Sequence, residues 1–164
     1  KRVEVLNRRK PGGWTDEEIA RLALDEVVQS GSCLVIVNTK KSAQTLFRLC
    51  REAAGIQTFH LSTNMCPAHR KEILDEIRQL LDDESLVLCI STQLIEAGVD
   101  VDFGAVIRYT AGLDSIAQAA GRCNRNGKQR DADGNPKVGR VHVVNPAVEN
   151  VDRLHDILCG KSIT

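Results

Sequence analysis

The sequence predicts an α/β fold, a three-layer sandwich around a mostly parallel central sheet. Three observations carry this reading. Residues 33–37 (CLVIV) and 86–90 (LVLCI) are continuous apolar runs rather than alternating ones, the pattern of strands covered on both faces. Five or six such strand-like runs are separated by four segments of helical periodicity. The joins are short and rich in caps and turn formers, which suits right-handed crossovers. A chain of 164 residues is long enough for one domain with a real core. That domain is expected to cover 14–160, with 1–13 a linker or edge segment and 161–164 a tail.

Taken in order, residues 3–6 read as a short strand or the end of a linker, and Pro11-Gly12-Gly13 as a boundary. Thr15 and Glu18 have capping-box spacing ahead of a helix that buries Ile19, Leu22, Ala23 and Val27. Trp14, the one tryptophan, is placed to staple that helix start to Ile19 or a neighbouring loop in preference to stacking on a base. After the strand at 33–37, Asn38 and Thr39 form a small polar corner. Thr39 can cap a helix that buries Ala43, Leu46, Phe47 and Cys50. Lys40 and Lys41 suit either a solvated face or a phosphate contact. Residues 56–61 form the next strand, and Pro67 opens a helix with Ile73, Leu74, Ile77 and Leu81 on its stripe. Residues 105–109 are a further strand, and 138–144 close the sheet. A last helix is expected to carry Val148, Val151, Leu154 and Leu158.

Acids and bases balance at 22 each, so no global charge argues for nucleic acid. Residues 118–140 nevertheless hold six Arg or Lys against two Asp. Six cysteines without a CxxC pair read as free thiols in a reducing compartment. Cys66 with His69, or His60 with His69, makes a weak metal signal, since structural zinc wants four ligands. No apolar run is long enough to cross a membrane. There is no GxxxxGK[ST] loop, so nothing in the sequence would hold nucleotide β and γ phosphates in the usual way. Thr92 and Cys123 are the nucleophile candidates near the polar stretches, and neither has a histidine at credible spacing.

The functional signal lies in 89–125. Ser91-Thr92-Gln93 follows a strand directly, and Glu96-Ala97-Gly98-Val99-Asp100 comes next. Ligands collect beyond the carboxyl ends of strands in open parallel sheets. Asp114 can then cap a helix on which Gln118, Arg122 and Arg125 share one face, if that helix reaches Arg125. Guanidinium pairs beside small residues (Ala119, Ala120, Gly121) suit an oxyanion.

These stretches resemble motifs V and VI of the superfamily 2 helicases. The wording STQLIEAGVDVDF followed by QAAGRCNRNG is similar to the helicase–nuclease of type I CRISPR systems. Asn38-Thr39 resembles motif IV, and FHLSTNMCPAHR the segment that follows it. Ala119 stands where many superfamily members carry an arginine, which favours the narrower family.

The resemblance implies the second RecA-like domain of an ATP-dependent, single-stranded DNA translocase, inactive as an ATPase alone. Arg125 would be the arginine finger, Arg122 its partner, and Gln118 a phosphate sensor. Gly98 would permit close approach and Asp100 would touch the ribose or the motif VI arginines. Asn38, Thr39, Ser62, Thr63, Arg70, Thr92 and Gln93 would contact the strand backbone. ATP and Mg2+ would bind in the complete two-domain protein, with the metal held by the first domain. The implied partners are that N-terminal RecA-like domain, a histidine–aspartate nuclease domain, single-stranded DNA and the CRISPR RNA-guided surveillance complex, in a prokaryotic cytoplasm. Another superfamily 2 helicase domain for DNA or RNA, or a non-catalytic protein-binding module, are the rival readings.

Overall fold

In the computed structural model, the residues described are 3–62, 64–92, 101–110, 113–124, 130 and 133–147. Their order is β1 (Val3–Asn7), α1 (Asp16–Ser30), β2 (Ser32–Ile36), α2 (Lys40–Cys50), β3 (Gln57–Leu61), α3 (Pro67–Asp82), β4 (Val87–Ser91), β5 (Ala105–Tyr109), α4 (Leu113–Ala120) and β6 (Gly139–Val144). The six strands form one sheet in the order β1-β6-β5-β2-β4-β3. Every pairing is parallel, so the sheet goes beyond the mostly parallel expectation.

Alternation along each strand divides the core in two. Cys33, Val35, Leu88, Ile90, Ala105 and Ile107 pack under α1 and α2 with Ile19, Val27, Ala43 and Leu46. Leu34, Ile36, Cys89, Val106 and Val141 pack on the other face with Leu74 and Ile77 of α3, and Ala120 of α4 joins them. β2, β4 and β5 are buried at every position, which is why their sequences run apolar without alternation.

The helix starts are written locally. Thr15 accepts from Glu18 N while Glu18 accepts from Thr15 N, a complete capping box. Gly31 ends α1 in the left-handed region at φ 86°. Trp14 packs at the rim of the cluster that holds Ile19, and its indole Nε1 donates to Arg8 O at 2.7 Å. Val3–Asn7 is an edge strand of the sheet, paired with β6. His60, next to last in β3, packs on Phe47 of α2, ring centroids 5.9 Å apart. One expectation needs correction. The helix expected to run from Asp114 to Arg125 starts at Leu113 and stops at Ala120. The expected closing helix at 148–158 lies outside the described residues.

Candidate nucleic-acid and nucleotide site

The strand ends on the carboxyl edge are flush. Ile36 pairs with both Ser91 and Arg108, and Ser91 with Leu61. The ladder extends one step further, with Val37 N donating to Ser91 O and Thr92 N to Leu61 O. Past these ends Ser62 and Thr92 follow β3 and β4 at one level, and Asn38 and Thr110 stand one residue further along the paths of β2 and β5. Sheet register thus brings together three of the residues expected to contact a strand.

Their side chains are not equally available. Thr39 caps α2: its Oγ1 accepts from Ser42 N at 3.1 Å and donates to Ser42 Oγ at 2.9 Å, so its hydroxyl proton is used within the helix. Lys40 and Lys41 are both exposed in the first turn of α2. Cations there oppose the helix dipole, so local helix energetics do not favour them. Ser62 closes a tight turn, accepting from Asn64 N at 3.2 Å. Its hydroxyl proton is not fixed by that bond. Thr92 is buried, and its Oγ1 has no hydrogen-bond partner among the described residues. Arg70 sits half-buried in the first turn of α3, while Cys66 and His69 nearby are exposed. Among the described residues no group of three His, Cys, Asp or Glu side chains is placed to hold a metal ion.

The second part of the site is elsewhere. α4 runs back along the sheet, and Gly121 and Arg122 form a turn at the amino-terminal end of β5. There Phe103 N donates to Arg122 O at 3.1 Å, and Asn124 N to Phe103 O at 2.8 Å. Cys123 is fully buried between Gly104 O and Arg140 O, which removes it as a nucleophile. Asn124 adopts φ 45°, and its Nδ2 donates to Lys137 O at 2.7 Å. Gly139 is needed beside this turn, because a Cβ there would stand 2.5 Å from Cys123 Sγ. Gln118 and Arg122 are therefore not carried on one helix. Gln118 is exposed on α4, whereas Arg122 lies half-buried beyond the helix, in a turn fixed by tertiary bonds. Thr63, Gln93, Gly98, Asp100 and Arg125 fall outside the described residues.

Sequence reading missed three participants. Arg108 sits inside the apolar run of β5, yet its Nη1 donates to Asn38 Oδ1 and to Ile36 O. Asn124 was read as part of a motif rather than as the residue that anchors it. Glu26 has no place in the sequence reading, yet it is buried against Arg140 and His142. Only Arg108 carried a local signal, as a cation in a run that otherwise asks for apolar residues.

Residues 29–128, more than half of the chain, match the family described as CRISPR-associated nuclease/helicase Cas3, C-terminal. The protein of that name from Methanothermobacter thermautotrophicus is 32% identical over 108 residues, which are 64% of this chain and 12% of that protein. Its namesake from Haloferax volcanii is 46% identical over 66 residues, 40% of this chain and 7% of that one. The chain thus spans a small part of the curated relatives it matches. Among solved structures, T. fusca Cas3 superposes with a TM-score of 0.73 at 22% identity, over 92% of this chain and 19% of that one. The C-terminal domain of the DEAD-box protein Dbp5 gives 0.58 at 17% identity, over 96% and 84%. At such identities the structural likeness speaks for the fold, that of the RecA-like C-terminal domains of helicases.

Proposed function

Because this chain belongs to the family of the C-terminal region of the CRISPR-associated nuclease/helicase Cas3, we propose that it is the second RecA-like half of an ATP-driven, single-stranded DNA translocase in type I CRISPR interference. In this reading the first RecA-like domain supplies the phosphate loop and the magnesium ligands. This chain supplies the strand-gripping edge and the arginines that complete the nucleotide site when the cleft closes. A histidine–aspartate nuclease domain and the RNA-guided surveillance complex are the remaining partners. Alone, the chain hydrolyses no ATP.

The observation that carries the reading is the division of the polar residues between two places on one rigid sheet. Asn38, Ser62, Thr92 and the lysines of α2 line the carboxyl edge. Backbone amides and hydroxyls at that level suit a sequence-independent grip on phosphates. The Arg122 turn is at the other end of α4, pinned through Phe103, Cys123 and Asn124. Its residues fit an oxyanion: a half-buried guanidinium in a turn fixed by backbone bonds needs little reorganisation to stabilise charge on a transferred phosphoryl. Arg125, three residues on, is assigned the finger itself, with Gln118 sensing the phosphates. Gly98 and Asp100 are assigned to the coupling segment, and Thr63, Arg70 and Gln93 to the strand.

The test is DNA-stimulated ATPase activity of the complete protein with Arg125→Ala beside it. We expect strong stimulation in the parent and loss of turnover by about 10³-fold or more in the variant, with ATP binding retained. Unchanged turnover would remove the finger from Arg125 and return the basic segment to a solvated or partner-binding surface.

A further inference from the structure

Arg108 occupies the fourth position of β5, between Ile107 and Tyr109, in a strand buried throughout. By alternation with Val106 it faces the layer of α3 and α4. Its side chain is only 8% exposed. Nη1 donates to Ile36 O at 3.3 Å and to Asn38 Oδ1 at 3.0 Å. Nε is enclosed without a partner, and among the described residues no acid pairs with the guanidinium. Burial pulls its pKa down, but arginine stays charged at any working pH. A buried cation without a counterion lowers stability, and an apolar residue of similar volume would serve the sheet better. Rules of local consistency are broken mainly where function requires it.

What the arginine does for its neighbour points the same way. Asn38 is exposed at the carboxyl edge. Its Oδ1 is held by Arg108, and its Nδ2 donates to Thr110 O at 3.0 Å. The amide is clamped between β2 and β5 and cannot flip. One Nδ2 proton is left over for solvent or a ligand, above a positive charge that no carboxylate among the described residues neutralises. Such a charge in a poorly screened setting attracts anions more strongly than a surface lysine.

We propose that Arg108 is a positioning residue for a phosphate-bearing strand at the carboxyl edge. It fixes the Asn38 amide as a donor and supplies the positive field beneath it. The proposal rests on the strand-binding reading above. Phosphate could equally come from a nucleotide, so the experiment separates the two sources.

The measurement is anisotropy of a labelled oligodeoxythymidylate bound to the complete protein across a salt series, for wild type, Arg108→Met and Arg108→Lys, with ATP binding followed in parallel. The Met variant is expected to bind about tenfold more weakly at low salt. Its plot of log affinity against log salt should flatten by about 0.7. Lys should restore the slope with its charge but only part of the affinity, since an ammonium cannot span both acceptors as the fork does. Should the Met variant fail to fold, the Lys variant carries the test alone, as normal slope with lowered affinity. Wild-type affinity and slope in the Met variant would overturn the proposal and leave Arg108 as a sheet clamp. A Met variant that loses ATP but not the strand also overturns it, by moving the phosphate to the nucleotide. Absence of strand binding by the wild type overturns the strand-binding reading itself, and this inference with it.

Discussion

Glu26 is 5% exposed between α1 and the sheet, where an unpaired carboxylate would be costly. Its Oε2 accepts from Arg140 Nη2 at 3.1 Å and from Ser30 Oγ at 3.3 Å, and Oε1 lies 3.3 Å from His142 Nε2. His142 Nδ1 accepts from Arg8 Nε, so the ring carries its proton on the nitrogen that faces Glu26. Burial acts to raise the carboxyl pKa, but the bonds from His142 and Arg140 outweigh it and leave the group below its ordinary 4.5. A carboxylate with a depressed folded pKa stabilises the fold above its unfolded value, and that contribution is lost as pH falls through the folded value. Glu26→Gln is therefore expected to cost about 2 to 3 kcal/mol at neutral pH. The difference from wild type should shrink as pH falls through the lowered folded value, because the parent carboxyl then protonates as well. Urea unfolding of both proteins at neutral and acid pH measures this, and a pH-independent difference would refute it. The sequence could not announce the network. Glu26 continues the spacing of Ile19 and Ala23 onto the core side of α1, but its partners stand 114 and 116 positions away. Arg108 was legible only as an oddity, because its meaning depends on Asn38 across two strands.

At the scale of elements, the starts of α1, α2 and α3 were legible because caps and proline are local signals. The strands were legible to within one residue at either end, because their apolar runs mark the fully covered positions and the ladder decides only the last step. The end of α4 was not. Ala119, Ala120 and Arg122 are acceptable helix residues, and the helix stops because Arg122 O, Cys123 and Asn124 are drawn to Phe103, Gly104 and Lys137. Tertiary bonds override propensity there. α2 offers the sharper experiment, because Thr39 is both a cap and a candidate phosphate contact. Thr39→Ala should destabilise the chain by about 1 kcal/mol. Thr39→Asp should keep the melting temperature, since aspartate caps as well and favours the helix dipole. The same aspartate places a negative charge at the carboxyl edge, so strand binding should weaken while stability holds. Thermal melts beside oligonucleotide titrations decide the matter. If Thr39→Asp binds as the parent does, Thr39 is a cap alone and the strand does not pass this corner.

The whole molecule sets a distance between its two candidate sites. β5 has five residues, roughly 15 Å at the rise of a strand. α4 has eight, about 12 Å of helix running back beside it. The carboxyl edge and the Arg122 turn are thus opposite ends of one β–α unit, joined through a core that packs too densely to deform gradually. Thr110 fastens one end of that unit, with its N and Oγ1 both donating to Val144 O, and Asn124 fastens the other. Local perturbation of one site should therefore spare the intrinsic affinity of the other, while coupling needs the unit to move as a body. Arg122→Lys in the complete protein tests this directly. An ammonium keeps the charge but loses the planar fork, so turnover should fall by about 100-fold or more. Strand affinity without nucleotide should stay within about twofold of the parent, because no phosphate contact at the carboxyl edge is removed. Steady-state ATPase and nucleotide-free anisotropy on the same preparation give both numbers. Parallel losses of turnover and strand affinity would mean that the two ends form a single site, and the division of labour along α4 would have to be abandoned.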